Sequence, residues 1–136
     1  MKKVILLFAT ALLGLISCTK EEGSSNPYAG TKWSKSYYSS FSDENYMYVI
    51  EFTETDFSYY EADINGGYKS GMTQGKYTYS GNEITINNVK DNTSILGEYI
   101  TGATVAGNVL TLHTYWIASN GKRYGEVMVM VKRNNI

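Results

Sequence analysis

Residues 77–86 read YTYSGNEITI and residues 103–112 read ATVAGNVLTL. The two stretches share one pattern: strand-forming residues, a small residue, Gly-Asn, then apolar-Thr-apolar. Glycine at the first loop position and asparagine at the second fit a two-residue type II′ turn, whose twist matches the strands it joins. Such a turn fixes register. It sets Tyr79 opposite Ile84 and Tyr77 opposite Ile86, then Val105 opposite Leu110 and Ala103 opposite Leu112. Carried outward, the second hairpin is expected to pair Thr101 with Thr114 and Tyr99 with Trp116 on that same face. His113 then falls on the other face, beside Gly102.

The same composition runs on either side of these hairpins. Beyond Pro27 there is no proline, while tyrosine, threonine, valine and isoleucine abound. Strands need these residues, and every backbone N–H then has the chance of a partner. Turn residues cut the chain into eight segments, near 31–38, 46–53, 57–64, 72–80, 83–87, 98–106, 109–117 and 124–133. No stretch shows helical periodicity, although 89–96 has room for one turn.

The connections alternate in length. Glu54-Thr55-Asp56, Gly81-Asn82 and Gly107-Asn108 are short, whereas SSFSDEN, NGGYKSGM, NVKDNTSILG and SNGKR are long. In an up-and-down meander alternate connections share an end, so one end is sewn tight and the other carries every long loop. The expected fold is therefore all-β, an eight-stranded antiparallel up-and-down barrel, whose closure removes exposed edges. In the second segment Tyr46, Tyr48, Ile50 and Phe52 form the more apolar face and are aimed inward. In the third, Tyr60, Ala62 and Ile64 are aimed the same way.

The start of the chain is of another kind. Lys2 and Lys3 precede an apolar run over 4–16, 13 residues long. Crossing a bilayer core takes roughly 20, but an export signal's apolar region is about this size. Leu15-Ile16-Ser17-Cys18 resembles the lipobox of bacterial lipoproteins, and Cys18 is the only cysteine. That resemblance implies a signal peptide over 1–17, a diacylglycerol on the Cys18 thiol, cleavage before it and further acylation of the new amine, palmitate being typical. Two or three chains anchor stably, since each buried methylene adds about 0.8 kcal/mol. Lys20-Glu21-Glu22 resembles the charged export tag of Bacteroides-group lipoproteins, which implies an outer-membrane protein at the cell surface; a periplasmic leaflet is the alternative. Residues 18–27 are expected to be the lipidated N-terminus and a flexible tether, and 28–136 the barrel domain.

Tyr28-Ala29-Gly30-Thr31-Lys32-Trp33, the GN-x-[I/L]-T-[I/L] strand starts and a final VMVMVKR resemble the lipocalin-like, calycin-type lipoproteins of the Bacteroides group. The resemblance implies that Trp33 packs at the closed end under Arg133. Gly30-Thr31-Lys32-Trp33 has one residue more than the lipocalin Gly-x-Trp motif.

Charge and motifs exclude several functions. With Lys2 and Lys3 removed, ten basic side chains face 13 acidic ones, a net charge of about −3. No basic cluster is present, so nucleic acid is not an expected partner. No nucleophile elbow, phosphate loop or dinucleotide fingerprint occurs, and no cofactor or metal is expected. Asp63-Ile64-Asn65-Gly66 starts like a calcium loop but lacks the later ligands and reads as an Asn-Gly turn. His113 lacks an evident partner, and Glu61 with Asp63 looks like an ordinary solvated strand face. No catalytic constellation emerges, and an enzyme is not expected.

Tyrosine stands out, with 13 in the chain. The candidate ligand-binding residues are Tyr46, Tyr48, Tyr60, Tyr99, Thr101, Thr114 and Trp116, gathered towards the long-loop end. The expected function is capture there of a small apolar, aromatic or glycan ligand. The alternative is a surface adhesion or assembly module that binds protein or polysaccharide through its loops. A barrel filled by its own tyrosines favours the second.

Overall fold

The computed structural model describes residues 25–93 and 97–134. The signal-peptide, Cys18 and export-tag readings lie outside these residues. The described chain forms β1 (Lys32–Ser39), β2 (Glu44–Phe52), β3 (Asp56–Asp63), β4 (Tyr68–Ser80), β5 (Glu83–Lys90), β6 (Tyr99–Ala106), β7 (Val109–Ile117) and β8 (Arg123–Arg133). Each strand pairs antiparallel with the next and β8 returns to β1, giving one closed up-and-down barrel.

The Gly-Asn turns behave as their chemistry demands. Gly81 and Gly107 both adopt φ +59°, while Asn82 and Asn108 are not among the positive-φ residues, as type II′ requires. The pairs Tyr79↔Ile84, Tyr77↔Ile86, Val105↔Leu110 and Ala103↔Leu112 form. Trp33, Phe52, Phe57, Leu110, Leu112 and Met130 then pack the interior towards this end and are essentially buried. The lower barrel is solid core.

Residues before β1 complete the closed end. Asn26 donates from Nδ2 to the Glu54 carbonyl (3.0 Å) and the Tyr77 hydroxyl (2.6 Å), and the buried Tyr28 donates to the Gly81 carbonyl (2.5 Å). Asn26, assigned to the tether by sequence, is part of the folded domain. Trp33 sits in the core as expected, but the cation over its ring is Lys132, with Nζ 5.8 Å from the centroid. Arg133 is at the closed end too, yet the two-residue period turns it to the outer face, where Nη2 lies 3.2 Å from the Met47 sulfur.

Two expected faces are corrected. In β3, Phe57 and Tyr59 point into the core, whereas Tyr60 and Ala62 lie on the outer face against Met47 and Val49. Ile64 is largely exposed. Both faces of β3 are apolar, so polarity could not tell them apart; the register Tyr59↔Ile50 and Phe57↔Phe52 decides it. In β6, Ile100 faces Thr114 and Gly102 faces His113, leaving Thr101 as an extra residue. This bulge swaps Thr101 for Ile100 on the inward face, where Ile100 is fully buried. Tyr99 consequently faces Tyr115 rather than Trp116.

Candidate functional site

At the long-loop end the interior changes character. β1 and β8 pair only at Lys32↔Arg133, Trp33↔Lys132 and Ser34↔Val131, so no ladder joins them beyond Ser34. The inward residues there are more open to solvent: Tyr37, Tyr46, Tyr48, Thr114 and Trp116 are half-buried, and Tyr124 and Glu126 are exposed.

One wall is a tyrosine ladder. Tyr37 and Tyr48 stack at 4.5 Å between ring centroids and 16° between planes, and Tyr48 continues onto Tyr59 at 6.1 Å and 22°. Tyr46 leans on Tyr37 at 5.7 Å. The ladder arises because Tyr37 and Tyr48 occupy the inward positions of adjacent strands, where cross-strand side chains meet. Tyr37 donates to Glu61 Oε2 at 2.6 Å. Burial first, then the Glu61 carboxylate, holds the Tyr37 hydroxyl protonated well above the usual phenol range. Glu61 thus belongs to the inner face, against the sequence reading of a solvated face.

A second wall is Trp116 stacked on Tyr124, with centroids 4.7 Å apart and planes at 20°. The period that buries Leu110 and Leu112 carries Thr114 and Trp116 inward. On β8 the same period carries Met130, Met128, Glu126 and Tyr124 inward. Thr114 therefore lies below Trp116, as expected.

The same end of the barrel carries acidic groups that the sequence reading missed, Asp91 and Glu98 in the β5–β6 connection and Glu126 on β8. The Asp91 amide donates to the Glu98 carbonyl at 2.7 Å, and the carboxyl of Glu98 feels those of Glu126 and Asp91. Burial, then the Glu126 carboxyl, pushes the Glu98 carboxyl up to about 7. Asp91 is only 3% exposed. Its Oδ1 accepts from the Thr93 amide and hydroxyl, both at 2.7 Å. Burial raises its pKa despite those bonds. The inward alternation of β8 marked Glu126 in advance; nothing local marked Asp91 and Glu98, which meet it only through the closed barrel.

The remaining candidates lie elsewhere. Tyr60 is on the outer face, where its hydroxyl donates to Glu51 Oε2 at 3.1 Å. Tyr99 stacks on Tyr115 outside the barrel at 5.2 Å, with the Arg123 guanidinium 4.4 Å from the Tyr115 ring. Thr101 is spent on the bulge, donating to the His113 carbonyl at 3.2 Å. His113 Nε2 lies 3.0 Å from the Thr104 hydroxyl on the outer wall. The Asp63 turn closes on itself, with Oδ1 accepting from Asn65 and Gly67 amides. Of the seven ligand-binding candidates, the inner open end keeps Tyr46, Tyr48, Thr114 and Trp116.

Compared with known proteins, the chain matches no protein family, no curated protein and no solved structure.

Proposed function

We propose that this chain is a lipocalin-like lipoprotein, anchored through Cys18 in the outer membrane and facing the cell exterior, whose open end binds a small ligand. The observation that carries the reading is the contrast between the two ends. The closed end is filled with apolar side chains, while the open end presents the half-buried rings of Tyr37, Tyr48 and Trp116 and the exposed ring of Tyr124. Rings with one free face and a polar edge suit a flat apolar, aromatic or sugar-like body. The packed floor makes the site shallow.

A second reading, adhesion or assembly through the loops, is favoured by the loop tips. Phe41 is 100% exposed, and Ile64 and Tyr68 are each 56% exposed, all at the open end. Exposed apolar groups gathered at one end suit a macromolecular partner.

Native mass spectrometry of the delipidated protein, taken from the cells that make it, separates the two. A small co-purified mass that Trp116→Ala abolishes supports the ligand reading. No such mass, with partner binding abolished by Phe41→Ser and untouched by Trp116→Ala, refutes it in favour of the loops.

A further inference from the structure

We infer that the open edge of β8 is a pairing surface for a second copy of this chain, the two β8 strands running antiparallel about a two-fold axis at Val127. The pairing does not depend on the ligand reading.

The first ground is the backbone. β8 runs from Arg123 to Arg133, but it pairs with β1 only at Val131, Lys132 and Arg133. The Lys132 amide donates to the Asn108 carbonyl at 2.9 Å, on the β7 side. Backbone groups alternate sides along a strand, so Gly125, Val127 and Val129 turn their N–H and C=O to the other side. No strand among the described residues pairs with them there. Gly125, whose surface is backbone alone, is exposed, so these groups are within reach of another chain.

The second ground is the side chains. Sheets blunt an open edge with lysine, with proline or by keeping it short. The unpaired part of β1 is of that kind, since it covers only residues 35–39 and begins with Lys35. β8 is not. Its outward positions from Gly125 on are glycine and three valines, and Val127, Val129 and Val131 are 63%, 53% and 49% exposed. Val109 of β7, opposite Val131, is exposed beside them. An uncharged apolar stripe bordering an open edge suits a partner strand.

The third ground is the fit of this edge to itself. Opposite residues of an antiparallel pair share a face, so a two-fold pairing is centred on one residue. Centring on Glu126 sets two carboxylates opposite each other, which is unfavourable, and centring on Gly125 leaves Val129 outside the pairing. Centring on Val127 sets Val127 against Val127, Gly125 against Val129 and Glu126 against Met128. The missing side chain of Gly125 leaves room for the valine. The three pairs whose backbone groups face each other make about six hydrogen bonds.

A two-fold axis normal to the sheet reverses every direction within it. The two barrels therefore lie side by side with their open ends pointing opposite ways. Chains anchored through Cys18 would then pair across two facing membranes and not within one. That consequence rests on the anchored reading; the pairing itself does not.

Sedimentation velocity of the delipidated protein at rising concentration tests the pairing. The expected result is a monomer–dimer equilibrium. Val127→Lys sets two ammonium groups opposite each other and should weaken it by at least ~10-fold. Its urea midpoint should match the parent's, because position 127 is exposed; if it does not, Val129→Lys serves instead. Val127→Cys should form a disulfide-linked dimer on mild oxidation, since opposite Cα atoms lie ~5.5 Å apart. Thr111→Cys, one strand back from the edge, and the parent with Cys18 alone should not. A monomer at every concentration overturns the inference, as does a dimer that both lysine variants leave intact. Capture of a different protein by Val127→Cys in cells, with the pure chain monomeric, overturns the second copy in favour of a foreign strand. Vesicles carrying the lipidated protein should cluster, and Val127→Lys should disperse them. A dimer in solution without clustering overturns the facing membranes and leaves the pairing standing.

Discussion

Gly102→Ala should be among the most damaging single-methyl additions to this barrel. Gly102 lies between Thr85 of β5 and His113 of β7, next to the bulge at Thr101. A Cβ there would sit 2.2 Å from the Ile84 carbonyl oxygen, a backbone atom that no rotamer change can move away. Relief requires β5 and β6 to separate by about 1 Å where strands normally lie ~4.8 Å apart. That weakens roughly two ladder hydrogen bonds, at about 1 kcal/mol each, and adds ~1–3 kcal/mol of core strain. The sum is about 3–5 kcal/mol, a large part of the ~5–15 kcal/mol that holds a domain together.

Gly107→Ala is the control. Its φ is +59°, but nothing lies within 4 Å of the added methyl, so only backbone strain of ~1–3 kcal/mol applies. Urea titrations of both variants against the parent, read by tryptophan emission, measure the difference. A loss for Gly102→Ala no greater than that for Gly107→Ala would refute the close approach and the bulge with it.

Cys18→Ala should release the protein from membranes and abolish labelling by a palmitate analogue; retention of both would show that another segment anchors it. Trp116→Ala should cost a bound ligand about 2 kcal/mol, as loss of a central aromatic anchor does; isothermal titration with the co-purified molecule gives the value, and an unchanged affinity removes Trp116 from the site. Glu98 is raised in the folded state, so its contribution to stability is full below its unfolded value of 4.5 and is lost as pH rises to about 7. Chemical denaturation from pH 4.5 to 7.5 should show that fall, on the order of 1 kcal/mol after solvent screening at a half-exposed site, and Glu98→Gln should flatten it. An identical slope in the variant would place the titration elsewhere.

The sequence and the structure agree where the determinants are local and part where they are not. Gly-Asn fixes a turn within two residues, so both hairpin registers near it could be read directly. Four residues further along β6 the register slips, because burying Ile100 instead of Thr101 is a tertiary gain that only the filled barrel rewards. The sequence held a hint in Gly102, since an isolated glycine inside a strand often marks a bulge or a close backbone approach. Tyr59-Tyr60 was ambiguous for another reason: both faces of β3 are buried, so alternation carried no sign. The acidic groups were the least legible. Glu126 follows from the Met130–Met128 period of β8, but Asp91 and Glu98 join it only after eight strands have closed.

The attachment point settles what the open end would meet if Cys18 carries lipid. Asn26 is tied to the closed end through Glu54 and Tyr77, so only the seven residues between Cys18 and Asn26 separate anchor from barrel. For the tether expected from the sequence, that length averages about 16 Å. Strands of eight residues, tilted ~40°, put the opposite end about 20 Å further out. The open end then lies well beyond the ~8 Å screening length of anionic headgroups at physiological salt. A charged solute there is neither drawn off by the membrane nor concentrated by it. Spin-labelled headgroups in vesicles carrying the lipidated protein should broaden the Tyr28 and Gly81 amides before that of Trp116. Equal broadening at both ends would mean that the barrel lies on its side, and the open end would no longer be the part that meets solutes first.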